Sequence, residues 1–362
     1  SYCVGFAWFR LLWALISILL FLLFISCGTK NKEYANNVFP YSQFPQEKEL
    51  KGEVIELDTA LFRYPFRIRI EGDKAIVLDL HGSDYYGHLF QYPSFRYLSS
   101  FGRRGDSPLE MLSMENFRLH NHTLWTLDAN KSELTRLDFS SSGDSLLREE
   151  TVALDEDILR PLDFAIYNDT TFVIPDYSGE SRFLKVDCKG KLIEKIGTIP
   201  TTNKKALQEA RPALAQAWRS FLDYNSHNSV LATVTQLGEV VEIYNLKDST
   251  HVIRVGEYDE PEFKVSDGYG IPTGIMGFSD VQVTDDAIYA VFHGTSFKDI
   301  ARQSGRLSDG GKYIYVFSLK GEPLCKYVLD HYIYGIWVDE VTKTIMATDV
   351  NNDQPILKFS FG

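Results

Sequence analysis

Short runs of consecutive apolar residues, each closed by a polar turn, fill the chain after residue 50. The clearest phrase is four or five mostly apolar residues followed by Asp. It reads Ala75-Ile76-Val77-Leu78-Asp79, Leu124-Trp125-Thr126-Leu127-Asp128, Phe172-Val173-Ile174-Pro175-Asp176 and Ile345-Met346-Ala347-Thr348-Asp349. Ile288-Tyr289-Ala290-Val291-Phe292 repeats it with Phe in the Asp column, and Leu231-Ala232-Thr233-Val234-Thr235 fills the middle of the one double-length gap. Six units result, the column falling at 79, 128, 176, 235, 292 and 349. A second strand-like phrase follows in most units: Leu134–Asp138, Phe183–Asp187, Val241–Asn245, Tyr313–Phe317 and Ile356–Ser360. Glycine turns such as Asp187-Cys188-Lys189-Gly190 come next, where glycine supplies a positive φ. Runs that are apolar at successive positions mark strands buried on both faces. Repeated six times, they imply sheets packed face to face around an axis. The expected fold is all-β, a six-bladed β-propeller of four-stranded antiparallel blades spanning 51–362. The last unit shows three strands, and a spare one, Gly52–Leu57, precedes the first. That N-terminal strand is expected to close the last blade.

One segment departs from this pattern. Between Lys204 and Tyr224, Leu207, Ala210, Leu214, Trp218, Phe221 and Leu222 recur at helical spacing, with Pro212 inside. This predicts a helical insertion, kinked or split in two. It serves either as packing on blade 4 or as a lid or docking helix.

The first residues read as an address. Arg10 is followed by an apolar run from Leu11 to Ile25, then Ser26-Cys27-Gly28. The run is too short to span a bilayer and suits a signal-peptide core. Residues 1–26 are therefore expected to be a lipoprotein signal peptide and Cys27 the lipidated residue. The alternative is an uncleaved anchor helix. Polar residues through 27–50 suggest a flexible tether. Both readings place the body in the cell envelope, attached to a membrane outside the cytoplasm, the outer membrane in preference to the inner.

Charge narrows the partners. With 37 basic and 49 acidic residues the formal charge is −12, which argues against nucleic acid. Of four cysteines, Cys188 and Cys325 remain in the body, two blades apart, and are expected as free thiols.

Phe101-Gly102-Arg103-Arg104-Gly105-Asp106-Ser107-Pro108-Leu109-Glu110 resembles the signature after the first blade of a Bacteroidales lipoprotein family of TolB-like or NHL-like six-bladed propellers. Phe278-Ser279-Asp280-Val281-Gln282-Val283 and the following Ala287–Gly294 are similar to its fifth-blade signature. The resemblance covers about residues 60–361. It implies the propeller fold and an envelope location, and carries no established activity, substrate or catalytic residue.

The candidate chemistry lies at strand ends. Asp79, Asp128, Asp176 and Asp349 each finish a buried strand, where a carboxylate accepts backbone N–H bonds from the turn. The functional alternative is a ring of acids at the axial mouth holding calcium, with Asp84, Asn130, Glu180, Asn351, Asn352 and Asp353 in reach. No cofactor is predicted beyond that possibility of calcium. His81 and His293 occupy matching His-Gly turns and are candidate mouth residues. Zinc and hydrolase strings such as HExxH, C-x-x-C and G-x-S-x-G are missing. The Arg103-Arg104-Gly105-Asp106 stretch reads as a structured turn, with Arg103 or Arg104 paired to an acid such as Glu110. Tyr85, Tyr86, Phe90, Tyr177 and Phe297 are expected in rim loops. The leading function is a binding or interaction module for an unknown small molecule, glycan or protein partner. The alternatives are a metal-dependent hydrolase or lyase at the mouth, and a structural subunit docking through 204–224.

Overall fold

Each unit folds as an antiparallel meander because its strands are long enough to pair and most of its internal turns are tight. The computed structural model describes residues 35–58 and 62–362. Cys27 and the expected signal peptide lie outside the described residues. Blade 1 comprises Pro65–Glu71, Lys74–Asp79, Tyr85–Gln91 and Arg96–Arg103, and blade 2 Met114–His120, Thr123–Asp128, Glu133–Phe139 and Leu146–Ala153. Blade 3 is Ala165–Asn168, Thr171–Pro175, Phe183–Asp187 and Leu192–Ile196. Blade 4 runs Ser220–Asn225, Val230–Thr235, Val240–Asn245 and Thr250–Val255, and blade 5 Phe278–Val283, Ala287–Phe292, Gly311–Ser318 and Pro323–Ile333. Blade 6 has Ile336–Asp339, Thr344–Thr348 and Ile356–Ser360, completed by Glu53–Ile55 from the N-terminal side. The ring thus closes as the spare strand predicted, with Val54 opposite Leu357 in antiparallel register.

The second strand of each blade is its most buried element. Thr171–Pro175, Val230–Thr235, Ala287–Phe292 and Thr344–Thr348 are buried at every position. Both faces of such a strand meet a neighbouring blade, which explains the unalternated apolar runs. The interblade cores are correspondingly mixed: Val230, Val234 and Ile243 of blade 4 pack with Val281, Ile288 and Phe292 of blade 5.

The residues before Gly52 are not wholly a tether, which corrects the expectation for 27–50. Val38–Pro40 adds in parallel to Thr250–Val255 of blade 4, and Gln46–Leu50 adds in parallel to the outer strand of blade 5. These two blades therefore carry a fifth strand. Between them Tyr41 and Phe44 wedge against Tyr315 and Phe317, with ring centroids 4.7–6.4 Å apart. The strap was hidden in the sequence because an outer edge strand buries little: residues 46–49 are polar and exposed at every position.

The insertion is shorter than the helical spacing suggested. Helix α1 (Lys204–Glu209) is capped by the Asn203 side chain, and helix α2 (Arg211–Ala217) has Pro212 in its first turn. Proline is tolerated there because that N–H has no partner within the helix. Ser220–Asn225 then forms the inner strand of blade 4, so Phe221 and Leu222 belong to a strand and not to the helix. Trp218, fully buried, marks the junction. A two-stranded hairpin, Phe263–Ser266 with Tyr269–Pro272, stands apart from the blades.

Candidate functional site

The inner strands bring charged side chains to the axis. Arg67 and Arg69 of blade 1 meet Asp280 of blade 5 at 3.5 and 2.9 Å. Arg118 of blade 2 meets Asp163 at 2.9 Å and Asp223 of blade 4 at 3.5 Å. Each acid also accepts a backbone N–H from the following blade: Asp163 from Leu222, Asp223 from Val283 and Asp280 from Ile336. Burial alone would raise the Asp280 carboxyl, but Arg67 and Arg69 offset it and hold it below the usual range. Burial dominates at Asp223, whose carboxyl is raised despite Arg118. These acids join the blades. They were not singled out in the sequence, although Leu162-Asp163-Phe164, Leu222-Asp223-Tyr224 and Ser279-Asp280-Val281 form a second recurring Asp phrase on, or just before, the first strands.

The Asp column expected at the mouth is satisfied locally. Asp79 accepts N–H bonds from Arg63, Tyr64 and His81. Asp128 accepts from Leu112, Ser113, Asn130 and Lys131. Asp176 binds the N–H groups of Ser178 and Ser181 and the Ser181 hydroxyl. Asp349 accepts from the Asn351 backbone and from the Asn351 and Asn352 side chains. All four are buried. Asn130, Asn351 and Asn352 thus bring N–H donors to these acids, and Glu180 pairs with Lys195. Among the described residues no group of three or more His, Cys, Asp or Glu is placed to hold a metal ion.

The two histidines end one row of rings. His81 lies against Tyr64 at 4.9 Å, Tyr64 against Tyr334 at 5.7 Å, and Tyr334 against His293 at 5.5 Å. The row spans blades 1, 6 and 5, but two tyrosines separate the imidazoles. His81 is exposed, whereas burial lowers His293 to about 4 and leaves its Nε2 without a partner.

Remaining expectations sort by burial. Arg103 pairs with Glu110 at 3.5 Å, and Arg104 covers the Tyr86 ring at 3.6 Å, so the Arg-Gly-Asp stretch is a structured turn. Tyr86 donates to the Leu112 carbonyl, and Phe90 is a core residue instead of a rim residue. Tyr85 is exposed but begins the third strand of blade 1 and is not in a loop, and Phe297 begins a short helix, Phe297–Arg302. Cys188 and Cys325 are free.

The long connections between strands share one face of the ring. Residues 154–164, 197–219, 256–277 and 293–310 all join strands at the end where the Asp column finishes, while the opposite face carries short turns such as 72–73 and 188–191. The first three of these connections line a cavity of about 730 Å³. Phe66, Phe221 and Tyr334 reach it from inner strands or the start of one. Tyr177 and Gln236 come from strand-end loops, Arg160 and Leu159 from the connection to blade 3, and Gln216 and Tyr269 from α2 and the hairpin. Arg219 and Glu115 complete the charged lining. Beneath it Arg67 sits over the Phe221 ring at 4.3 Å, with Nε and Nη2 unpartnered. The Arg219 Nε is also buried without an acceptor, as is the Tyr177 hydroxyl. The rim is apolar and open: Leu159, Tyr269 and Ile271 are 52%, 61% and 40% exposed. A smaller cavity of about 260 Å³ opens at the other end, lined by Asn225, His227 and Asp285.

An axial cavity in a six-bladed ring, walled by variable connections, defines a propeller that presents one loop face. A profile of the TolB-like 6-blade propeller-like family matches residues 43–341, and the chain belongs to that family. Among solved structures, a putative exported protein from Bacteroides fragilis shares 13% identity at a TM-score of 0.54, covering 89% of this chain and 98% of its own. A DUF4221-family member from Bacteroides vulgatus shares 10% at 0.53, covering 87% and 96%. An auxiliary nutrient binding protein from Bacteroides ovatus shares 10% at 0.51, covering 83% and 70%. At such identities the likeness is one of fold. Comparison with curated protein sequences gives no match.

Proposed function

We propose that the protein is a binding module of the cell envelope, attached to the membrane through Cys27, and that the cavity on the loop face is its ligand site. The observation that carries this reading is the coincidence of the long connections, an aromatic-lined hollow and unpartnered buried donors at one place. A cavity of this size with few convergent polar groups is the usual form of a ligand pocket. The ring itself is rigidly joined by interblade ion pairs, as a scaffold for loop recognition should be. Relatives in fold described as exported and as nutrient binding support an extracytoplasmic binding role. Val38–Pro40 runs parallel to the outer strand of blade 4 towards the loop face, so the strap joins the ring from the short-turn side.

A thermal-shift screen of envelope glycans and peptides tests this, since a ligand that binds only the folded state raises apparent stability. A hit whose stabilisation disappears in both Tyr269→Ala and Phe221→Ala is the expected result. Stabilisation untouched by either substitution places the site elsewhere.

A further inference from the structure

We infer that the mouth takes an acidic saccharide, with a uronate carboxylate held by Arg219 and Arg160 and a sugar ring laid on the aromatic wall. The inference rests on the mouth being the ligand site. The chain has a formal charge of −12, yet two arginines line this cavity against one acid, Glu115. Glu115 Oε1 already accepts the Ser113 hydroxyl at 2.5 Å. The polar lining consists mainly of donors. Arg219 Nε and the Tyr177 hydroxyl lack acceptors, and Gln216 commits its carbonyl to the Gly270 N–H at 2.9 Å, which leaves its amide protons free to face a ligand. Such a wall calls for a ligand rich in acceptors and carrying negative charge.

The apolar part of the lining selects among anions. Phe221, Tyr269 and Tyr334 bring aromatic surface to the lining, which the C–H face of a pyranose would cover and an inorganic anion would leave unused. A peptide carboxylate fits the arginines less well overall. Its backbone brings as many donors as acceptors, and the donors would find few side-chain acceptors beyond Glu115 and Gln236. A uronate chain presents carboxylate, ring and glycosidic oxygens, together with hydroxyls that accept as readily as they donate.

Calorimetric titration of the full chain tests this with three probes: an oligogalacturonide, the neutral oligosaccharide of equal length made by reducing its carboxyl groups, and a short peptide with a free C-terminal carboxylate. The oligogalacturonide is expected to bind at least about tenfold more tightly than the other two, as the loss of one charge-assisted contact implies. Arg219→Gln and Arg160→Gln should each weaken it by about the same factor. Arg160 lies on an exposed loop, so that variant folds independently of the answer. Added salt should weaken binding further. Equal binding of the neutral oligosaccharide would overturn the acidic assignment while leaving the mouth as the site. Preferential peptide binding would replace the saccharide with a peptide. Binding that ignores both substitutions would overturn the assignment and the location together. Absence of binding by all three probes overturns the inference, and the mouth is then judged by the broader ligand screen alone.

Discussion

The backbone N–H of Gly270 donates to Oε1 of Gln216 at 2.9 Å, which ties the hairpin to helix α2 at the edge of the mouth. Gly270 has no room for a side chain, because a Cβ there would lie 2.3 Å from the Ala213 carbonyl oxygen. Gly270→Val should push the hairpin off α2 and widen the cavity. The expected outcome is a loss of about tenfold or more in affinity for the mouth ligand. The urea midpoint should move little, because no blade strand is touched. Calorimetry and urea unfolding of the same variant check both halves.

The axial ion pairs give a sharper stability prediction. Asp280 is buried and holds two arginines and the Ile336 N–H. Asp280→Asn removes the charge and leaves Arg67 and Arg69 buried without their counter-ion. The cost should be about 3–5 kcal/mol in urea unfolding, as for other broken buried pairs.

Asp79 provides the contrast. Its carboxylate accepts three backbone N–H bonds and has no cationic side chain among its hydrogen-bond partners. Asp79→Asn keeps one acceptor oxygen, so a smaller cost of about 1–2 kcal/mol is expected. Because the acids of this column already accept N–H and O–H donors from their own turns and, at Asp79 and Asp128, from the segment leading into the same blade, calcium or a chelator should leave the melting temperature of the wild-type protein unchanged. A calcium-dependent rise would show that the column binds the ion.

The strap predicts how far the N-terminal residues contribute to folding. Phe44 packs on Tyr315 at 4.7 Å and on Phe317 at 5.6 Å, and Tyr41 donates to Glu239 at 3.0 Å. Phe44→Ala should cost about 1–3 kcal/mol, less than a full core truncation because the ring is only partly buried. Hydrogen exchange of the outer strands of blades 4 and 5 should rise in the same variant. Unchanged exchange there would mean that the strap lies on the ring without supporting it.

Acid sensitivity should begin above the carboxylate range. Burial lowers His88 from 6.5 to about 4, and its Nε2 has no partner. Between those values the unfolded chain binds the proton and the folded protein does not. Stability is therefore full above about pH 6.5 and falls as the pH drops towards 4. His293, lowered to about 4 by burial, acts in the same direction. His88→Gln should flatten the dependence in this window by on the order of 2 kcal/mol, read from urea midpoints at several pH values.

The repeat was legible because each second strand is buried on both faces, so residues such as Ala75–Leu78 and Ile288–Val291 must be apolar without alternation. The closing strand was legible by counting, since a blade with three strands must find a fourth. The strap was not, because Val38–Pro40 and Gln46–Leu50 bury too little to impose an apolar pattern. Phe221 was misread as helical because a strand that follows a helix directly can continue its spacing for a few residues.

The candidate site divides in the same way. Sequence alone indicated the ring and its number of blades, and offered a turn role for Asp79, Asp128, Asp176 and Asp349 beside the calcium reading, because such patterns repeat from unit to unit. It could not determine that Arg160, Gln216, Arg219 and Tyr269 would enclose one hollow, or that Asp280 would join blade 5 to blades 1 and 6. Those contacts connect residues far apart in the chain, and only the closing of the ring sets the distances between them.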